Sequence, residues 1–494
     1  MSTMNLTLLT DLYELTMMQG YFKSHADETV IFDAFYRRNP NDGGFAIAAG
    51  LEQVIDYIKN LRFSQEDIAY LRSLNIFDED FLQYLSGFRF SGDIYAIPEG
   101  TVVFPREPLI KVVAPIMEAQ LVETAILTII NHQSLIATKA ARVVYAAQGD
   151  AIMEFGLRRA QGPDAGVYGA RAAMIGGCVG TSNVLTGQLF DVPVMGTHAH
   201  SWIMSFPDEY TAFRTYAKLY PNACCLLVDT YDTLKSGVPN AIRVFQEMRD
   251  AGLPLKHYGI RLDSGDLAYM SKQARKLLDA AGFEDAYIAA SSDLDEYLIQ
   301  SLKLQGCKIS SWGVGTNLIT SKDCPSFGGV YKLAAIQDEK TGEFIPKIKL
   351  SENIGKITNP GNKTIYRIYD KTHGKIRADL ICLADETFDE SKDMMIFDPN
   401  ATWKKTKIKA GSYTLRELLI PVFQGGECVY TSPSVMEIRE TCLKEQDTLW
   451  DETKRFVNPQ AVYVDLSDKL YQIKSELLEQ MSMDSLEKKT DIPS

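Results

Sequence analysis

The sequence predicts an α/β fold: an irregular β/α (TIM-like) barrel, with an N-terminal α/β domain before it and a smaller C-terminal domain after it. Three observations carry this expectation. From about Ala151 to Ile336 one theme repeats, a short apolar run, then a polar or glycine-bearing break, then a longer segment of helical period. The residue types that do chemistry, Glu154, Thr197, Asp229, Arg261, Asp263 and Asp293, fall at or just past the ends of those runs, on the face where barrel enzymes build their sites. The flanking segments lack the theme and read as separate domains.

Taken in order, residues 1–145 start with a helical segment and the run VIFDAFYRRNP. Helices follow through LEQVIDYIKNL and EDIAYLRSL, and DIYAIPEGTVVFPREPLIKVVAP alternates like a small sheet. Residues 146–340 hold the apolar runs AIMEF from Ala151, VPVMGT from Val192, CCLLVDT from Cys224, YGIRLDS from Tyr258, YIAASSD from Tyr287, ISSWGVGT from Ile309 and VYKLAAI from Val330. Between them DEYTAFRTYAKLY, NAIRVFQEMRDAG, AYMSKQARKLLDAAG and DEYLIQSLKLQG read as amphipathic helices, two stopped by Ala-Gly and one by Gly. Seven parallel strands at this pitch suit a barrel better than an open doubly wound sheet, although periodicity alone does not separate the two. Residues 341–494 form a C-terminal extension, part of which is expected to pack with the N-terminal domain. It shows strand-like patterning in KIKLSENIGKITNPGNKTIYRIYD, then surface helices, and SMDSLEKKTDIPS reads as a frayed tail.

Composition narrows the function. With 494 residues, 46% hydrophobic and 23% charged, the chain is long enough for two or three well-buried cores. A net charge of −13 argues against a basic face that tracks nucleic acid or an anionic membrane, so an anionic ligand must be met by a local cluster of cations and backbone N–H groups. The cysteines, Cys178, Cys224, Cys225, Cys307, Cys324, Cys382, Cys428 and Cys442, show no CxxC spacing, which argues against a zinc ribbon or redox motif. The start, MSTMNLTLLTDLYELTMMQGYF, lacks a basic segment followed by an apolar one, and no apolar run is long enough to span a bilayer. A cytoplasmic location is expected.

Four constellations carry chemistry. In EFGLRRAQ, Arg158 and Arg159 follow a buried run and suit a bidentate grip on pyrophosphate or carboxylate, with a surface ion pair as the plainer reading. Gly313, Gly315 and Thr316 in GVGTN, and Gly328 and Gly329 in SFGGVYK, allow a backbone to approach a phosphate, although either loop alone reads as a tight turn. Asp229 and Asp263 are placed to hold ribose hydroxyls or Mg²⁺, while Asp232 and Asp266 read as caps of the next helices. GTHAHS puts His198 and His200 directly after a run, a pattern also found in barrel hydrolases that bind metal through two histidines.

These motifs together resemble the nicotinate phosphoribosyltransferase family: TDLYELTM, EFGLRRAQGPDAG, GTSNVLTGQLFDVPVMGTHAHSW, IRLDSGDL, and WGVGTNLIT followed by GGVYKL, in that order. The region after about 370 adds little. The resemblance implies a dimer with shared active sites and a reaction of nicotinate with phosphoribosyl pyrophosphate, giving nicotinate mononucleotide and pyrophosphate. It also implies Mg²⁺, and ATP as a co-substrate hydrolysed through a phosphohistidine at His200, with His198 at a variable position. By motif, the partner subunit's Tyr13 and this chain's Phe155 would flank the pyridine ring, and Arg261 and Thr197 would lie around nicotinate. Gly313, Gly315, Thr316, Gly328 and Gly329 would hold the 5-phosphate, and Arg158, Asp229 and Asp263 the pyrophosphate, ribose or Mg²⁺. The related nicotinamide enzyme has an aspartate where this sequence places Ser182, and a hydroxyl there favours the acid substrate. Two rival classes stay in view: a metal-dependent barrel lyase or hydrolase using the His-x-His pair, and a non-catalytic sensor of nucleotide or phosphoribosyl pyrophosphate.

Overall fold

The computed structural model of the chain describes residues 5–24, 28–253, 255–349, 351, 356–399 and 401–490, with 482–490 described by backbone alone. The chain packs as two compact units: residues 1–135, 326–433 and 441–494 form the first, and residues 136–325 and 434–440 the second. The sequence pattern alone predicts divisions at 145/146 and 340/341.

The first unit is built on a seven-stranded antiparallel sheet in the order Phe344–Pro346, Gly329–Gln337, Thr29–Tyr36, Ile110–Pro115, Asp93–Ala96, Ile420–Gln424 and Glu427–Cys428. The strand Thr29–Tyr36 is buried along nearly its whole length, as expected for a strand covered on both faces. The run VYKLAAI lies in this sheet, antiparallel to Thr29–Tyr36, and not among the parallel strands where the sequence reading placed it. Side-chain contacts explain the difference. Tyr331 stacks on Phe32 with ring centroids 4.7 Å apart, and its hydroxyl donates to the Ala119 carbonyl at 2.7 Å.

A second sheet of the same unit orders Tyr413–Glu417, Lys363–Asp370, Ile376–Leu383 and Tyr463–Leu466. Its apolar side closes over Ile368, Leu380, Ile396 and Ile408, and it carries the buried Arg367, whose Nε and Nη2 donate to Asp379 at 2.9 and 2.6 Å. Much of KIKLSENIGKITNPGNK falls outside regular strands, and residues 350 and 352–355 of it lie outside the described residues. Of the expected tail, residues 482–490 continue the helix Asp468–Thr490, and residues 491–494 lie outside the described residues.

The second unit holds six parallel strands: β1 (Ala151–Glu154), β2 (Gly180–Thr181), β3 (Cys224–Leu227), β4 (Tyr258–Leu262), β5 (Tyr287–Ala290) and β6 (Ser311–Val314). Their order is β2-β1-β6-β5-β4-β3, and every pair is parallel. The strands are short and mostly buried, as a sheet covered by crossover helices requires. The sheet curls but stays open between β2 and β3, so the expected irregular barrel is a half-barrel and not a full closed one. The run from Val192, expected as a strand, makes one isolated bridge, Val194 to Thr181. Pro193 has no N–H to give to a ladder and contributes only its carbonyl, which accepts from Thr181 N at 3.0 Å.

Aspartates set the start of the crossover helices. Asp208, Asp266 and Asp295 accept from the backbone N–H groups of Thr211, Tyr269 and Leu298, and Asp232 accepts from those of Leu234 and Lys235. The cap roles expected for Asp232 and Asp266 are what the structure shows. The helices Val238–Asp250 and Leu267–Ala280 end just before Gly252 and Gly282, both at positive φ. All eight cysteines are free thiols, and among the described residues no helix is long and apolar enough to cross a membrane.

Candidate active site

The carboxyl ends of β3 and β4 bring together residues far apart in sequence. Asp229, two residues past β3, buries its side chain and receives two hydrogen bonds on Oδ2, from Asp263 N and from Ser264 Oγ, each 2.7 Å. Those bonds tie the loop after β4 to the loop after β3. Asp229 Oδ1 is buried without a hydrogen-bond partner and points toward His200, whose Nε2 is 4.0 Å away. Asp263 Oδ2 lies 3.7 Å from the same nitrogen. On its other side the imidazole meets Thr230 Oγ1 through Nδ1 at 3.0 Å. His200 is thus held between a hydroxyl and two carboxylates, with its side chain 38% exposed, open enough for a second reactant.

Arg261 lies on β4 and completes the cluster. Its Nη1 donates to the His198 carbonyl at 3.4 Å and its Nη2 lies 3.6 Å from Asp263 Oδ1, while Nε is buried with no partner. Asp263 Oδ1 also accepts from Ser291 Oγ just past β5. Orphaned buried polar atoms are rare in native proteins, because each forgoes the hydrogen bond it would make in water. Here an acceptor on Asp229 and a donor on Arg261 stand unspent in one cluster, which marks a place where a ligand completes the bonding.

His198 does something else. Its ring lies edge-on to Tyr216 with centroids 4.6 Å apart, and Nε2 accepts from Leu227 N at 3.4 Å. Burial, then the nearby Arg261 and His200, push its pKa down to about 4, so the ring is neutral at physiological pH. The two histidines therefore face different partners and do not form a two-histidine ligand pair. Thr197 is fixed by donating to the Cys225 carbonyl at 2.8 Å, across the gap beside β3.

A second group forms beyond β1 and β6. Glu154 is fully buried and accepts from Thr181 Oγ1 at 2.6 Å and from Gly156 N; burial raises its pKa. It acts as an anchor for the turn into Arg158 and Arg159, both of which are exposed. The backbone of Ser182 donates to the Glu154 carbonyl at 3.0 Å, which sets the half-buried serine beside the same strand end. Phe155 lies against Gly313, where an added Cβ would come within 2.6 Å of the ring. Gly313→Ala is accordingly expected to displace Phe155 and destabilise the chain by about 1–3 kcal/mol, read as a lower denaturation midpoint.

The loop after β5 is bent by Ser292 and Asp293, at φ 103° and 39°, and is held by Asn317 Nδ2, which donates to the carbonyls of Asp293 and Leu294 at 2.7 and 3.1 Å. Asn317 belongs to the GVGTN loop with Gly315 and Thr316, so that loop and the β5 loop form one braced rim. Strain at non-glycine positions of this kind persists where surrounding bonds over-determine it. Thr230, Ser264, Ser291 and Asn317 were not singled out in the sequence. Thr230 and Ser264 adjoin singled-out aspartates, which is the one signal that would have found them.

Tyr13, Gly328 and Gly329 belong to the first unit, and the other candidate residues to the second. Tyr13 is 46% exposed on the helix Leu12–Ser24. Gly328 is at φ 72°, and an added Cβ on Gly329 would collide with Asn131 Oδ1, which accepts from Gly329 N at 3.0 Å. Glycine is needed at both positions for different reasons, one conformational and one steric.

Fold and cluster together define an α/β protein with a charged centre at the carboxyl ends of its parallel strands. Comparison with known proteins gives the family. Models for the nicotinate phosphoribosyltransferase N-terminal domain, family and C-terminal domain match residues 8–131, 151–358 and 362–474. The chain is 44% identical over 486 residues to the nicotinate phosphoribosyltransferase of Bacillus subtilis, covering 97% of this chain and 98% of that one. It is 32% identical to that of Homo sapiens, covering 95% and 96%. The crystal structure of human nicotinic acid phosphoribosyltransferase superposes with a TM-score of 0.82 at 30% identity, over 95% of this chain and 99% of that one. The chain belongs to the nicotinate phosphoribosyltransferase family.

Proposed function

We propose that the protein transfers the phosphoribosyl group of phosphoribosyl pyrophosphate to the ring nitrogen of nicotinate, releasing nicotinate mononucleotide and pyrophosphate in the synthesis of NAD. The observation that carries this reading is the convergence of His200, Asp229, Arg261 and Asp263 in a chain whose near full-length relatives bear that activity in their names. The bond from ribose C1 to the pyrophosphate oxygen breaks as the pyridine nitrogen bonds to C1. Positive charge grows on the ribose and negative charge leaves with pyrophosphate, so the protein must fix the nucleophile in line and receive the anion.

In this reading Phe155 and the partner subunit's Tyr13 flank the ring. Burial and the adjacent Glu14 raise the Tyr13 pKa, which keeps its phenol neutral beside a carboxylate substrate. Arg261, with its unspent Nε, and Thr197 lie around nicotinate, and the Ser182 hydroxyl donates to the carboxylate. The GVGTN loop, with Gly313, Gly315 and Thr316, takes the 5-phosphate, and Arg158 takes pyrophosphate. The exposed apolar residues Leu12, Tyr13 and Met17 on one helix support a homodimer that covers them.

Mg²⁺ fits the centre on one observation: Asp229 Oδ1 is buried and unpartnered while Asp263 Oδ2 faces the same histidine. Mg²⁺ commonly takes one or two carboxylates plus substrate phosphate oxygens. Asp229 and Asp263 would hold it, and when bound it would neutralise charge on the pyrophosphate.

ATP is read as a co-substrate that phosphorylates His200. The two carboxylates near Nε2 favour the proton on that nitrogen, which leaves the Nδ1 lone pair, now facing the Thr230 hydroxyl, to attack the γ-phosphorus as ADP departs. Water later takes the phosphoryl group, giving phosphate and restoring the histidine.

The test is product formation from labelled nicotinate, phosphoribosyl pyrophosphate and Mg²⁺, beside a parallel assay with nicotinamide. Nicotinate is expected to react and nicotinamide to fail. Ser182→Asp is expected to raise KM for nicotinate by about tenfold or more through charge repulsion. If nicotinamide alone reacts, the assigned pocket is wrong; if neither reacts, the proposed activity is wrong.

A further inference from the structure

The first unit carries another charged cleft, which shares no residue with the site above. It lies over the face of the seven-stranded sheet where Asp33 and Lys111 stand opposite one another on neighbouring strands. Asp33, Arg106, Thr358, Asn359 and Lys363 supply its polar lining.

Its charges do not balance. Asp33 is the sole carboxylate of the lining among the described residues; its Oδ2 is 2.8 Å from Lys363 Nζ, and its Oδ1 is buried with no hydrogen-bond partner. Lys111 Nζ donates behind it to Asn362 Oδ1 and the Lys363 carbonyl at 3.0 and 2.9 Å. Lys474 Nζ meets the amide oxygen of Asn359 at 2.8 Å. Neither Lys474 nor Arg106 pairs with a carboxylate among the described residues. Burial, then the charges of Arg106 and Lys363, lower the Lys474 pKa to about 8, as expected of cations gathered without a counter-charge.

Arg106 adds a second, independent sign. Its φ is 76°, a left-handed conformation that costs a long side chain energy and costs glycine none. The turn is held by Arg106 N donating to the Tyr36 carbonyl at 2.7 Å. On backbone grounds alone glycine suits this position better, so the guanidinium is retained against strain, in a cleft that already holds excess positive charge. A planar fork of donors beside ammonium groups matches a tetrahedral oxyanion.

We propose that this cleft binds an inorganic dianion of the phosphate class, with Arg106 and Lys363 as its lining cations and Lys474 beside them behind Asn359. The probe is radiolabelled inorganic sulfate, whose charge is constant near neutral pH, measured by equilibrium dialysis with the full-length protein. Arg106→Gly and Lys474→Met are each expected to weaken one class of sulfate sites by about tenfold or more. Arg106→Gly is also expected to match or exceed the parent's Tm in sulfate-free buffer, since it relieves strain, and to gain less Tm than the parent when sulfate is added. Isotherms of both variants that superimpose on the parent's would overturn the proposal. So would a fall in the Tm of Arg106→Gly that is the same with and without sulfate, because that would make Arg106 a purely structural residue.

Discussion

Asp229→Ala is expected to lower kcat for nicotinate mononucleotide formation by about 10²–10³-fold, the size of effect seen when a preorganised charge-stabilising group is removed. Asp229 has two tasks that the structure separates. Through Oδ2 it receives Asp263 N and Ser264 Oγ and so joins the loops after β3 and β4, and through Oδ1 it presents an unspent acceptor toward His200. Asp229→Asn keeps an oxygen for the loop bonds and loses the charge. The alanine variant should therefore lose both stability and turnover, whereas the asparagine variant should keep its denaturation midpoint and lose turnover almost as far. Steady-state kinetics at saturating substrates decide the matter; an asparagine variant within tenfold of the parent would show that the Asp229 charge is not needed.

Arg367→Ala carries the largest expected effect on stability, about 3–5 kcal/mol, because it strands carboxylates in the interior. The guanidinium is fully buried and donates to Asp379 at 2.6 and 2.9 Å and to Glu445 at 3.2 Å, with Glu107 3.9 Å away. Burial, with Asp379 beside it, holds the Glu107 carboxyl well above the ordinary range even with the arginine present. The sign of the pH effect follows. Carboxyls whose folded pKa is raised favour the folded state at low pH, and that contribution is lost as pH rises past their unfolded value. Arg367 is a lowering influence on Glu107, so losing it raises the folded pKa of that carboxyl further, and the deficit of the variant should shrink as pH falls from neutral toward the carboxyl range. Urea midpoints of parent and variant across that range measure it, and a deficit that grows on acidification would contradict the assignment.

Local features of the second unit were legible in the sequence because their causes are local. Apolar runs at 151, 224, 258, 287 and 309 became parallel strands, Asp232 and Asp266 became caps, and Gly252 and Gly282 stopped helices. What failed to show depends on one proline inside a run or on partners far along the chain. The VPVMGT run has the hydropathy of a strand, but Pro193 denies it a ladder and the sheet stays open there. VYKLAAI has the same pattern as its neighbours, and only the contacts of Tyr331 with Phe32 and Ala119 assign it to the other sheet. The site shows the same limit. His200, Asp229, Arg261 and Asp263 were readable as residues past strand ends, whereas the hydroxyls of Thr230 and Ser291 that hold them are defined by bonds 30 and 28 residues away. The cleft around Arg106 was not foreseen either, because its cations come from three distant segments and the backbone strain at Arg106 leaves no mark on composition or period.

The role of His200 is measured by phosphoryl transfer from γ-labelled ATP to the intact protein, followed by nicotinate mononucleotide formation with and without ATP, for the parent and for His200→Ala. An acid-labile, alkali-stable label is expected on the parent alone, with product formation that ATP stimulates in the parent and leaves unchanged in the variant. A label of equal amount on His200→Ala, or equal stimulation by ATP in both proteins, would contradict the role assigned to His200.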